Sequence, residues 1–293
     1  MSSVQYSKKT IVSGVILKSQ PSLKSGSLSM ISNAFHTGIS YFKQPFANES
    51  ILIKFDQHIV ETLTDSKGRF SISVRDVIEN KITILNSSQE KIPFHQNYPV
   101  FFKNSNIEQI VISDIDDTIM RSYTQTKVKR LMTTLFYPAH RRKVISSTSK
   151  IYHKLDREKC SFFYVSKSEF NLVRLIADFL IDNELPIGPL FLTPYLSLSE
   201  LINNKKDPSF KLKCISSILD LNEKVPVILI GDDTQADMDV YTQIAEKYGN
   251  QISNIYIHQT GRKISNKQKN EWSKLVETGA DAIYFTNEEQ QLH

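Results

Sequence analysis

A chain of 293 residues and 33.6 kDa has room for one large domain or two modest ones, each with a core. With 40% hydrophobic and 23% charged residues it is not a disordered polypeptide, and no apolar run approaches the ~20 residues that a membrane span needs. A net charge of +5 suits an anionic substrate or membrane surface without demanding either, and nothing in it calls for nucleic acid.

The two cysteines, Cys160 and Cys214, lack metal-ligand spacing and suggest no disulfide framework, so a reducing compartment is the default. Lys8 and Lys9 before the apolar run from Ile11 to Leu17 mimic a signal peptide, but Ser13 interrupts the run and no small-residue cleavage site precedes Lys18. A first β-strand is predicted there instead, in a cytoplasmic protein. Residues 19–50 form a Ser/Gly/Asn-rich insertion, with Met30, Ile31, Phe35, Ile39 and Phe42 at weakly helical spacing. Strands are then predicted over 51–55, 59–63 and 70–74, the last two joined by a turn around Gly68. Residues 1–105 thus read as a small β-sandwich-like domain.

The polar stretch 86–108, with Pro93 and Pro99, reads as a linker. Beyond it, residues 106–293 alternate strand and helix. Strands are predicted over 109–113, 161–165, 189–192, 225–230, 254–258 and 282–285, several being near-continuous apolar runs like those of parallel strands buried on both faces. Helices are predicted over 169–183, 209–221, 236–248 and 265–278, with Gly249 and Gly279 as stops. Such alternation specifies an α/β fold, a Rossmann-like doubly wound parallel sheet.

Ligands in such sheets bind beyond the carboxyl ends of the strands, so the residues just past each strand matter most. Past the first strand comes Asp114-Ile115-Asp116-Asp117-Thr118, three acids within four residues. They repel unless a cation intervenes, which argues for Mg²⁺; a solvated acidic turn is the plainer alternative. Ser166 comes after the second strand, where a hydroxyl can bond a phosphate oxygen, although a serine there is usually a helix cap, a role open to Ser168. Gly231-Asp232-Asp233-Thr234-Gln235-Ala236-Asp237 comes after the fourth strand, with a glycine for a tight exit and acids for an oxygen-ligand site. Lys211, near a helix start, can offer a cation to a phosphoryl group, though a lone lysine is ordinarily a surface residue.

Taken in this order, the four signals resemble the signature motifs of the haloacid dehalogenase superfamily: Asp-x-Asp-x-Thr, a strand-end Ser/Thr, a Lys, and Gly-Asp-x-x-x-x-Asp. The resemblance implies that three of the strands carrying them are neighbours. It implies Asp114 as nucleophile and Asp116 as acid/base, with Mg²⁺ held by Asp114, the Asp116 backbone carbonyl and Asp232. It further implies that Ser166 and Lys211 bind the phosphoryl group, that Thr118 braces the loop, and that Asp237 and Asp233 stand behind these groups.

Within the superfamily the chain resembles the phosphatidate phosphatases of the actin-patch-associated type and their bacterial relatives. The residues carrying this are Ser113 to Ile119, Tyr164-Val165-Ser166-x-Ser168, Leu185 to Pro189, Lys211-x-x-x-Ile215-x-x-Ile218-Leu219 and Ile230 to Asp237 with Tyr241, covering about 107–260. Thr64-Asp65-x-x-Gly68-x-Phe70 similarly resembles the β-domain that precedes this unit in bacterial members. Glu169 stands where the family commonly has proline, and His258 where it tends to have arginine. The implied reaction is hydrolysis of phosphatidate to diacylglycerol and phosphate. The same core would serve a soluble phosphomonoester or a phosphoprotein. A membrane- or partner-binding module with vestigial catalysis is the non-enzymatic alternative, against which the complete acid set argues. Between the first two motifs, where the superfamily places its cap, residues 126–143 set Val128, Leu131, Met132, Leu135 and Phe136 on one helical face amid Lys127, Lys129, Arg130, Arg141, Arg142 and Lys143. This small helical cap either rests on an anionic bilayer as a peripheral contact or simply packs on the core.

Overall fold

The computed structural model describes residues 1–6, 9–18, 44–55, 58–75, 81–94, 96–103, 107–120, 144–194, 207, 209–234, 236–261 and 263–286. The predicted helical stripe from Met30 to Phe42 and the basic segment 126–143 lie outside these residues.

The N-terminal half holds eight strands among the described residues: β1 (Ser2–Gln5), β2 (Thr10–Val15), β3 (Ser50–Phe55), β4 (His58–Leu63), β5 (Arg69–Val74), β6 (Thr83–Asn86), β7 (Lys91–Ile92) and β8 (Phe101–Lys103). They form two four-stranded sheets, in orders β5-β2-β1-β8 and β4-β3-β6-β7. Alternation along β5 is strict, with Phe70 and Ile72 buried between exposed Arg69, Ser71 and Ser73. Val12, Phe70 and Ile72 of one sheet and Ile51, Ile53, Phe55 and Ile84 of the other share one apolar cluster, as period-two strands with one buried face require.

Two predictions for this half need correction. The strand predicted in the apolar run is present as β2 but is not the first, because β1 precedes it and pairs antiparallel with it from Ser2↔Ser13 to Gln5↔Thr10. The stretch 86–108 is not merely a linker, because β7 pairs with β6, and β8 pairs in parallel with β1. Both added strands in that stretch are too short for a hydrophobic period to show.

The second half is built on β9 (Ile110–Ser113), β10 (Ser161–Glu169), β11 (Leu190–Thr193), β12 (Val227–Asp232), β13 (Ile252–His258) and β14 (Ala282–Phe285). All six are parallel, in the order β11-β10-β9-β12-β13-β14. The sequence winds outward in both directions from β9 and β12, so their carboxyl ends frame the crevice at the topological switch point. β9, β10 and β12 are neighbours. Among the described residues the α-helices of this half are α1 (Ser146–Arg157), α2 (Val173–Asp182), α3 (Phe210–Leu221), α4 (Asp237–Tyr248) and α5 (Asn266–Glu277). Ile110 and Ile112 pack with Ile215, Ile218, Ile244 and Leu275 of α3, α4 and α5, whereas Val111 packs with Tyr152, Ile176 and Phe179 of α1 and α2. Both faces of β9 are therefore covered, which is why it reads as an unbroken apolar run. The helix predicted from residue 169 begins at Val173 instead, because β10 continues through Glu169 and a short 3₁₀ turn intervenes.

The halves touch. Val4 and Tyr6 of the N-terminal half join the cluster formed by β9, β10, β12 and β13, and the Tyr6 and Phe163 rings lie 6.3 Å apart. The Tyr98 hydroxyl donates to the Gly188 carbonyl at 2.7 Å. Among the described residues, no helix is long and apolar enough to cross a membrane.

Candidate active site

The acids reach one crevice because β9 and β12 run side by side and end together. Asp114 comes directly after β9, and its N–H donates to the Ile230 carbonyl at 2.9 Å, extending the pairing one residue past the strand. Asp232 closes β12, and Asp237 opens α4 one turn later. The exit between them is tight. A Cβ on Gly231 would lie 2.7 Å from Asp237 Oδ2 and 2.8–2.9 Å from the Tyr241 ring and hydroxyl, so only glycine fits without displacing the acid. Asp117 in the first loop (φ 59°) and Ala236 in the second (φ 61°) take left-handed backbone conformations. That is unusual for residues with a Cβ, and such strain concentrates at functional loops.

Asp114, Asp232 and Asp237 each bring a carboxylate oxygen within 4.8 Å of the others, and all three are buried. One ammonium, that of Lys211 on α3, lies among them. It is ion-paired with Asp237 Oδ1 and stands 3.0 Å from Asp114 Oδ1. Lys211 is 1% exposed, so the lysine that spacing alone would leave at the surface is a core residue here. Burial disfavours its charge, but the Asp114, Asp237 and Asp232 carboxylates outweigh burial and hold it protonated well above the usual lysine range. The acids respond oppositely. Burial raises the Asp114 carboxyl to about 7; Lys211 only partly offsets this, and Asp237 and Asp116 add to the rise. Burial likewise lifts Asp232 well above the ordinary carboxylate range, with Asp237 and Asp114 next in effect.

One lysine against three buried carboxylates leaves the crevice short of positive charge. Asp114 Oδ2 is buried and has no hydrogen-bond partner among the described residues, a lack that normally costs about 1–3 kcal/mol, or more for a charged group. An all-oxygen donor set with an unpartnered carboxylate oxygen fits a hard divalent cation. The oxygens differ in how free they are. Asp237 uses Oδ1 on Lys211 and Oδ2 on the Asp232 N–H at 3.3 Å. Asp232 Oδ1 accepts the Thr234 N–H at 2.5 Å and its hydroxyl, while Thr118 Oγ1 lies 3.5 Å from Asp232 Oδ2.

Asp116 and Ser166 meet each other. Ser166 Oγ donates to Asp116 Oδ2 at 3.3 Å, and Ser168 Oγ donates to the same oxygen at 2.6 Å. Ser168 is therefore not the helix cap that its position suggests; it lies on β10, two residues from Ser166 and thus on the same side of the strand. The Ser-x-Ser spacing at the strand period is the signal that both serines share a target. Asp233 turns away from the cluster: Oδ1 accepts the Thr260 N–H at 3.1 Å and hydroxyl at 2.6 Å, and Oδ2 accepts the Tyr284 hydroxyl at 2.8 Å. Those bonds tie the β12 loop to the ends of β13 and β14.

Three further residues make contacts at the site that the sequence does not announce, although Tyr241 and His258 stand at positions within the family resemblance. Tyr152 on α1 shares a hydrogen bond with Ser113 Oγ, and Ser113 donates to the Asp114 carbonyl at 2.8 Å. Tyr241 donates to the Ile230 carbonyl at 2.8 Å, beneath the cluster. His258 Nδ1 lies 2.8 Å from the Asp117 carbonyl. Each contacts a partner distant in sequence, and isolated tyrosines and histidines look like packing until the sheet is assembled.

Residues 109–259 match the family model described as phosphatidate phosphatase APP1, catalytic domain. Phosphatidate phosphatase APP1 of Saccharomyces cerevisiae is 31% identical over 199 residues, 66% of this chain and 34% of that protein. Phosphatidate phosphatase LPIN1 of Homo sapiens is 30% identical over 122 residues, 39% of this chain and 13% of that protein. The chain thus spans about a third or less of these relatives. Among solved structures, a chain of the Pnkp1/Rnl/Hen1 complex superposes with a TM-score of 0.38 at 12% identity, covering 60% of this chain and 53% of that one, a likeness too loose to bear on the site.

Proposed function

The chain belongs to the family of the phosphatidate phosphatase APP1 catalytic domain, and from that premise we propose that it is a Mg²⁺-dependent phosphatase that hydrolyses phosphatidate to diacylglycerol and phosphate. The observation that carries this is the convergence of Asp114, Asp232, Asp237 and Lys211 at the switch point of the sheet. In this reading residues 106–293 are a haloacid-dehalogenase-like catalytic domain with a small helical cap, and residues 1–105 are a β-sandwich in front of it.

Asp114, Asp232 and the Asp116 backbone carbonyl would hold Mg²⁺, which when bound neutralises phosphoryl oxygens and offsets the crowded carboxylates. Asp237 spends both oxygens on Lys211 and the Asp232 N–H, which suits orientation of the lysine better than ligation. The Asp114 oxygen attacks phosphorus, the bond to the diacylglycerol oxygen breaks, and an aspartyl-phosphate forms. The departing oxygen takes a proton from the Asp116 carboxyl. Asp116 then removes a proton from water, whose oxygen attacks the same phosphorus and frees Asp114 and inorganic phosphate. Ser166 and Ser168 on Asp116 Oδ2 orient that carboxyl, and Lys211 and the Ser166 hydroxyl bind phosphoryl oxygens as charge shifts. Thr118 braces the first loop against Asp232, and Asp233 braces the second. Access to a lipid headgroup fits a protein that works in the cytoplasm and meets an anionic bilayer peripherally.

The test is phosphate release from phosphatidate in mixed micelles and from soluble phosphomonoesters, with and without Mg²⁺. Phosphatidate turnover that needs Mg²⁺ is expected, and Asp114→Asn should lower it by about 10³-fold or more. Preference for soluble monoesters would move the substrate assignment, and an Asp114→Asn variant as fast as the parent would overturn the mechanism.

A further inference from the structure

We propose that His258 is a positioning residue that clasps the nucleophile loop to the second acid loop, setting the geometry in which the cation and phosphoryl group are held. The contact is between His258 Nδ1 and the Asp117 carbonyl, 2.8 Å apart. A carbonyl can only accept, so Nδ1 carries the proton and donates; the bond defines the tautomer.

The span of this contact makes it more than local packing. His258 ends β13 and Asp117 lies beyond β9, and β12 separates those two strands. Strands two apart in a sheet are roughly 9–10 Å from each other. The imidazole bridges that gap over the carboxyl end of β12, where Asp232 sits directly beside His258 in register. The backbone of the same residue grips the other loop, since the Asp233 N–H donates to the His258 carbonyl at 3.2 Å. One residue thus contacts both acid loops.

Each end of the clasp is fixed. The His258 ring is 2% exposed and packs 5.4 Å from the Phe285 ring, which limits its rotation. Asp117 is held left-handed at φ 59°, with its N–H on the Met120 carbonyl at 2.8 Å. That turn lies immediately after Asp116 and immediately before Thr118, so its orientation decides where the Asp116 carbonyl and carboxyl and the Thr118 hydroxyl point. Losing the imidazole donor would loosen the turn by fractions of an ångström, and phosphoryl transfer is sensitive to displacements of that size.

The inference rests on the phosphatase reading for its activity arm but not for its binding arm. His258→Leu removes the donor while keeping the site apolar; His258→Asn places an amide N–H near the original Nδ1. For both variants and the parent, kcat and KM on phosphatidate micelles are measured across a Mg²⁺ titration. Separately, the rise in melting temperature on adding Mg²⁺ is measured without substrate. In His258→Leu, kcat should fall and the half-saturating Mg²⁺ concentration should rise, each by about 10-fold, the low end of the range for direct partners of metal ligands because Asp117 is the neighbour of a ligand and not one itself, with KM nearly unchanged. The Mg²⁺-induced thermal shift should shrink, and His258→Asn should restore most of both effects. If His258→Leu keeps the parent's Mg²⁺ dependence and thermal shift, or if His258→Asn is as impaired as the leucine variant, the proposal is overturned. A parent that binds Mg²⁺ but releases no phosphate would refute the phosphatase reading instead, and the thermal-shift arm would still decide the clasp.

Discussion

The two halves of this molecule bury opposite kinds of chemistry. The shared core of the N-terminal sheets is aliphatic and aromatic, built on Val12, Ile51, Ile53, Phe55 and Phe70. Its buried polar Thr64 is satisfied on both sides, with its hydroxyl accepting from the Glu49 N–H at 3.0 Å and donating to the Phe46 carbonyl at 2.5 Å. The carboxyl end of the second sheet instead buries Asp114, Asp116, Asp232, Asp237 and Lys211, and leaves Asp114 Oδ2 without a hydrogen-bond partner among the described residues. The first arrangement lowers the free energy of folding; the second raises it and is tolerable only because a well-packed sheet carries it. Buried carboxylates that outnumber their one buried cation are what the proposed metal-assisted chemistry would use.

The comparison can be broken most directly by Lys211→Met. Removing the ammonium leaves buried carboxylates uncompensated, so the fold should lose about 3–5 kcal/mol without divalent cation, with activity abolished. Ile53→Ala in the N-terminal core should cost a similar 2–5 kcal/mol or so yet keep kcat near that of the parent below its melting transition. Denaturant titration with parallel phosphate-release assays separates the two. Equal losses of activity would mean that the halves are not energetically distinct.

A smaller effect is expected from pH. The Asp114 carboxyl is raised in the folded state from its ordinary 3.8 to about 7, chiefly by burial. The folded protein therefore binds this proton more tightly than the unfolded chain does, and its stabilising effect is present below pH ~4 and lost as pH rises through about 7. Asp232, raised for the same reason, acts in the same direction. The melting temperature in chelator should fall across that window by several degrees relative to Asp114→Asn, and Mg²⁺ should remove most of the difference. A cation-free protein that gains stability from pH 4 to 7 more steeply than Asp114→Asn would contradict the buried-charge account.

The smallest effect concerns backbone strain. Ala236 precedes α4 with φ at 61°, where a Cβ costs about 1–2 kcal/mol. Ala236→Gly should raise stability by about 1 kcal/mol, seen as a modest increase in melting temperature. No gain would mean that the turn at the head of α4 is relaxed.

How much is legible in the sequence depends on the range of each interaction. The strands of the second half announce themselves because both faces of β9 and β12 are covered, so Ile110 to Ile112 and Val227 to Ile230 need be apolar at every position. The acid loops can be read because each is contiguous: Asp114 with Asp116, and Asp232 with Asp237, lie close together along the chain. β1, β7 and β8 cannot be read, being two to four residues long and stabilised by pairing with distant partners rather than by any local period. Helix α1 does carry a local signal that the prediction left out, since buried Thr148, Tyr152 and Leu155 fall on one face at i, i+4 and i+7.

By itself, then, the amino-acid order determined the alternation of strand and helix, the carboxylates placed after particular strands, and the resemblance that names the chemistry, because these are encoded over a few neighbouring residues. Tertiary structure alone decided that Lys211 is a buried counter-ion, that Ser168 faces Asp116, that Asp233 turns toward Thr260 and Tyr284, and that His258 reaches across β12. Those choices depend on which strands lie side by side, and strand order is set by the packing of the whole sheet and not by any local pattern.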